Sequence, residues 1–192
     1  MNDLLAFNET VRQDTLAWLE RAVIGLNLCP FAKAVYVKGQ VHVAVSSART
    51  ADHVNADLRA ELQALLALDA EVRDTTLLVL PQALPDFLDF NDFLDEADAV
   101  LDELDPDGDI QIASFHPDYQ FAGTEPDDVT NCSNRSPYPI LHLLREDSVE
   151  RAVEAVPEAA DIFERNMETL RALGAEGWAA LHVGRSQGQG KP

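Results

Sequence analysis

An α+β fold, with a small mixed β-sheet flanked by several helices, is predicted by three patterns in this 192-residue chain. Long segments carry apolar residues at helical spacing, short segments alternate or run apolar, and the two kinds interleave along the chain. Two short strand-like runs around Lys38-Gly39-Gln40 add an expected β-hairpin, and that antiparallel pair makes the sheet mixed.

Residues 9–27 read as an amphipathic helix, with Val11, Thr15, Trp18, Ala22 and Leu26 on one stripe. Asn27 to Pro30 ends it, because a residue before proline avoids helical geometry. Val35–Val37 and Val41–Val45 are the two arms of the expected hairpin, and alternation in the second puts Val41, Val43 and Val45 on one face. Residues 51–69 form a helix with Val54, Leu58, Leu62, Leu65 and Leu68 inward. Residues 76–81, TLLVLP, read as a buried strand. Residues 86–104 give a helix with Phe87, Phe90, Leu94, Ala97, Leu101 and Leu104 in a stripe. A turn at Asp105-Pro106-Asp107-Gly108 leads into a strand over 109–115. Beyond a polar loop, Ser136 reads as an N-cap and Pro137 as the first residue of a helix over 137–145. A helix from about Ser148 to Val156 follows, with Asp147 and Glu150 at capping-box spacing. A last helix is predicted from Pro157 to Leu173, ended by Gly174.

The length suits one domain, residues 1–183, and the Gly- and Gln-rich segment 184–192 reads as a disordered tail. The 34 acids against 14 bases give a net charge of −20. Such a surface repels phosphate backbones and anionic membranes, which argues against nucleic-acid and membrane partners. Cys29 and Cys132 are too few for a disulfide framework. No basic-then-apolar leader and no membrane-spanning run is present, so a cytoplasmic location with reduced thiols is expected.

The chemistry concentrates between Ile110 and Arg145. His116, at the end of a strand with Asp118 two residues on, has the makings of a general base or metal ligand. On the expected helix, Tyr138, His142 and Arg145 share a face, opposite Ile140, Leu143 and Leu144. Its start, with Ser136 and Arg135, would hold a carboxylate or phosphate. Cys29 is either a small buried apolar residue or a nucleophile activated by His116 or His142. No P-loop, dinucleotide fingerprint or nucleophile elbow is present.

Three segments carry a resemblance: Gly25–Ala32 (GLNLCPFA), Phe115–Phe121 (FHPDYQF) and Asn134–Glu146 (NRSPYPILHLLRE). In these the chain resembles a bacterial family catalogued as domain of unknown function 1415, over about residues 10–183. The resemblance implies no activity. It implies that Cys29, His116, Asp118, Tyr119, Asn134, Arg135, Ser136, Tyr138, His142 and Arg145 lie in the family's motifs.

The expected function is that of an enzyme on a small anionic metabolite. Cys29, His116, Asp118 and His142 would do the chemistry, and Asn134, Arg135, Ser136, Tyr138 and Arg145 would hold the substrate. One alternative is a non-catalytic ligand- or partner-binding module. Another is a transition-metal site using Cys29, His116 and His142, with Asp118 as a further ligand.

Overall fold

The computed structural model describes residues 2–105, 107–155 and 161–186. In chain order the elements are α1 (Asn2–Trp18), continued by a π-helical turn (Leu19–Ile24), α2 (Ala32–Val37), β1 (Val41–Val45), α3 (Ala51–Ala67), β2 (Thr75–Val79), α4 (Phe87–Leu104), β3 (Ile110–Phe115), a 3-10 turn (Val129–Ser133), β4 (Ile140–Arg145), α5 (Glu146–Ala155) and α6 (Ile162–Ala180). The strands form one mixed sheet in the order β1-β2-β4-β3. The chain is thus α+β, as the sequence predicts.

The mixture arises differently from the expected hairpin. Residues 35–37 belong to α2, and β1 pairs in parallel with β2, joined through α3. The reason is at Gly39, whose φ of 71° makes it a helix-ending residue. Its N–H donates to the Tyr36 carbonyl, and the Gln40 N–H donates to the Val35 carbonyl, which is the double closure of a Schellman motif. The same glycine that suggests a turn between two strands here terminates a helix. The antiparallel pairs are instead β2 with β4 and β3 with β4.

The second correction concerns 137–145. Residues 140–145 are the strand β4, and Pro137–Pro139 lead into it. Ser136 and Tyr138 each precede a proline and are barred from helical geometry, so only six residues remain for a helix. Those six instead join a sheet between two partner strands. Strict alternation is not needed to explain their apolar character, since a central strand is covered on both faces.

The sheet separates two cores. On one face Leu78, Leu80, Ile110, Leu141 and Leu143 meet Val54, Leu58, Leu62 and Leu65 of α3 and Phe90, Phe93, Ala97 and Val100 of α4. On the other, Leu77, Val79, Ile140 and the β1 valines meet Val11, Trp18, Leu19, Ala22 and Val23. α4 starts at Asp86, whose carboxylate accepts from the Leu88 N–H at 2.8 Å, as an N-cap should. α5 begins directly at the end of β4, two residues before the expected start. Gly174 does break the last helix, with φ 68° and ψ 173°, but helix resumes to Ala180. The expected start at Pro157 and residues 187–192 of the expected tail lie outside the described residues. No helix among the described residues is long and apolar enough to cross a membrane.

Phe90 is fully buried between α4, α3 and the sheet. Phe90→Ala should lower the unfolding free energy by about 3–5 kcal/mol, read as a lower urea midpoint with an unchanged slope.

Candidate functional site

β4 has two faces, and its side chains part accordingly. Leu141 and Leu143 enter the α3/α4 core, while Ile140, His142 and Leu144 face the side of α1. On that side lies a cavity of about 600 Å³. Its floor crosses all four strands through Val41, Thr75, Leu77, His142, Ala113 and Phe115. Its walls are Trp18, Leu19 and Val23, the segment Cys29–Phe31, α2, and Ser148, Val149 and Ala152 of α5. The lining is mostly apolar, and the volume lies within the range of small-molecule pockets.

His142 is the main polar group of the floor. The Thr75 hydroxyl donates its one proton to the Leu143 carbonyl at 2.6 Å. Its oxygen is therefore an acceptor toward His142 Nε2, 2.7 Å away, and Nε2 carries the imidazole proton. Nδ1 is left as an acceptor that makes no hydrogen bond among the described residues. Burial lowers the His142 pKa to about 4, so the ring is neutral at physiological pH. Cys29 lies in the wall of the same cavity. Burial pushes its thiol up, against the smaller opposing effect of the Phe31 and Ala32 backbone N–H groups.

His116 does not join them. It is fully buried on the other side of the sheet, with its ring 5.2 Å from that of Phe90 and 5.5 Å from that of Phe87. Nδ1 accepts from the Asp118 backbone N–H at 3.1 Å, which leaves Nε2–H to donate to the Leu84 carbonyl at 3.2 Å. Burial lowers its pKa, and both ring nitrogens are occupied in the neutral form. Asp118 is exposed and touches His116 through its backbone rather than its carboxylate. Convergence of Cys29, His116 and His142 is therefore corrected, because the sheet stands between the two histidines. Among the described residues no three His, Cys, Asp or Glu side chains are grouped as metal ligands.

The expected anion-holding residues are also engaged elsewhere. Arg135 donates from Nε to the Tyr119 carbonyl at 3.1 Å and from its terminal nitrogen to the Pro126 carbonyl at 2.6 Å, stapling the loop between β3 and β4. Asn134 donates to the Ser114 carbonyl at 3.1 Å. Ser136 caps no helix, since none follows, and donates to the Tyr138 carbonyl at 2.5 Å. Tyr138 donates to the buried Asp14 at 2.8 Å, under the Arg185 guanidinium, and burial with that acceptor raises its pKa. Arg145 contributes to the cavity lining, but its guanidinium donates to the Leu65 and Leu68 carbonyls at the end of α3, at 2.5 and 2.6 Å. A cation there complements the helix dipole.

Of the site residues singled out in the sequence, Cys29, His142 and Arg145 line this cavity; Thr75, Lys38, Gln111, Ser148 and Arg151, which were not singled out, line it too. Thr75 and His142 are 67 residues apart, and no local pattern announces such a pair.

The comparisons agree with the motifs. A family model described as "Protein of unknown function (DUF1415)" matches residues 10–180, and the chain belongs to that family. No curated protein and no solved structure matches the chain.

The His142 environment sets a pH dependence. Its pKa is about 4 when folded and near the ordinary 6.5 when unfolded. Above that window both states are neutral and the ring has no effect. As pH falls through it, the unfolded chain takes up a proton that the folded ring refuses, so stability falls. Between pH 7 and 4.5, wild type should lose roughly 2 kcal/mol more than His142→Gln, measured by urea unfolding of both proteins. Equal losses would contradict a ring held neutral in the fold.

Proposed function

We propose that this protein binds a small, largely apolar molecule in the cavity beneath the sheet, with His142 Nδ1 accepting a hydrogen bond from it. One observation carries the reading: a mostly apolar cavity of about 600 Å³ whose floor presents an oriented acceptor, His142 Nδ1, with no hydrogen-bond partner among the described residues. A few fixed polar groups in an apolar pocket are what select and orient a ligand.

The proton affinities favour binding over catalysis by a Cys29–His142 pair. Burial raises the Cys29 thiol above its ordinary value and lowers His142 to about 4. Both shifts oppose transfer of the thiol proton to the ring. A nucleophilic cysteine needs a partner that reverses this order. The two free thiols are compatible with a reducing, cytoplasmic setting, and the net charge of −20 argues against a nucleic-acid partner.

The neutral fluorophore N-phenyl-1-naphthylamine tests the pocket. It should bind the wild type with enhanced emission. Ala113→Trp, which places an indole into the cavity from β3, should weaken binding at least tenfold while the circular dichroism spectrum stays unchanged. Equal affinity in the folded variant would remove the cavity as the binding site.

Cys29 offers an independent check. Alkylation by iodoacetamide, followed on the Cys29 peptide by mass spectrometry, should be slow at pH 7 and accelerate through the alkaline range, because only the thiolate reacts. Saturating fluorophore should slow it severalfold. Unchanged alkylation with the fluorophore bound would place the ligand away from this wall.

A further inference from the structure

We infer that the molecule taken up is an anionic amphiphile, a monocarboxylic acid with an apolar body, seated with its carboxylate at the cavity mouth against Lys38 and Arg151. The inference rests on the cavity being a binding site and adds the class of ligand and its orientation.

The charge lining the cavity is opposite to that of the chain. The protein carries 34 acids and 14 bases, yet the charged lining residues are Lys38, Arg145 and Arg151 against Asp74 alone. Lys38 and Arg151 are exposed, and both belong to the lining, so they mark where the cavity meets solvent. Neither makes a salt bridge among the described residues. Arg151 donates to the Ser148 hydroxyl at 3.0 Å, and Ser148 donates to Asp74 at 2.6 Å. Asp74 is thus already partnered through Ser148. The Arg145 guanidinium is held by the carbonyls at the end of α3. Lys38 and Arg151 are the cations left to meet an anion.

Orientation follows from the floor. A carboxylate pushed inward would meet the Nδ1 lone pair of a neutral His142 in a mostly apolar lining whose only other polar floor groups are Thr75 and the neutral Gln111 amide, and whose inner cation, Arg145, is already held by the α3 carbonyls. At the mouth it keeps part of its water and gains two cations. The apolar body then fills the space between Phe115, Leu77 and Trp18.

The test is displacement of bound N-phenyl-1-naphthylamine by octanoate and by octan-1-ol, in wild type and in the Lys38→Gln/Arg151→Gln double variant. Octanoate should displace the fluorophore from wild type, and its affinity should fall about tenfold in the double variant. Octan-1-ol should compete equally with both proteins. Raising the salt concentration should weaken octanoate and leave octan-1-ol unaffected. If octanoate competes equally well with both proteins, the carboxylate assignment is overturned while the cavity reading stands. If the fluorophore binds wild type but octanoate never displaces it, the ligand class is wrong and the pocket survives. If the fluorophore itself fails to bind wild type, the cavity reading and this inference fall together.

Discussion

The register of β4 between β2 and β3 is the constraint on which both sides of the molecule depend. It pairs Leu77 with His142 on one flank and Ala113 with His142 on the other. A slip of one residue would drive His142 and Leu144 into the α3/α4 core and turn Leu141 and Leu143 toward the cavity. Burying the imidazole without Thr75 would strand its polar atoms, and the core would lose two leucines. The strand's own sequence opposes the slip: fully buried leucines at 141 and 143 flank the polar ring. The end of the strand adds a second lock, because Arg145 reaches the α3 carbonyls only in the observed register.

The long connection from β3 to β4 explains why so many polar residues gather in one stretch. Between residues 116 and 135 the only regular element is a single 3-10 turn, so most backbone groups lack ladder partners. Side chains supply them. Asn131 accepts from the Phe121 N–H and the Thr124 hydroxyl and donates to the Glu125 carbonyl, which satisfies a fully buried amide. His116, Asn134 and Arg135 do the same for their neighbours. Phe87, Tyr119 and Phe121 cover the loop with rings about 5 Å apart. A loop held this densely looks chemically rich in sequence because its polar groups replace a missing hydrogen-bond ladder.

The legible parts of the chain were those whose signal is local and repeated. The stripes of α3 and α4 run through several turns each, and β2 is an apolar run bounded by polar residues, so these elements match expectation. α2 and β4 are short, and each turned on one residue with two physical meanings. Gly39 serves a hairpin turn or a helix end equally well, and Pro137 suits a helix start until Pro139 is weighed with it. The cavity lining was half legible for a related reason. Cys29 and His142 stand out by residue type, whereas Thr75, Lys38 and Arg151 acquire meaning only when β2, α2 and α5 are brought around one cavity. The opposite placement of His116 and His142 could not be read without strand parity, which the helix assignment at 137–145 obscured.

The position of β2 has a consequence for how the chain reaches this arrangement. β2 lies inside the sheet, yet its two neighbours come from opposite directions in the sequence. β1 and α3 precede it, whereas β4 is separated from it by α4, β3 and the long loop. During synthesis the β1–α3–β2 unit is complete well before β4 leaves the ribosome. For that interval the five residues Thr75–Val79, all buried in the finished protein, present an open, unpaired edge. An apolar strand with one free edge is a template for wrong pairing. The nascent chain is therefore most vulnerable to aggregation in the middle of its synthesis, and arrival of the Ile140–Arg145 strand closes that window.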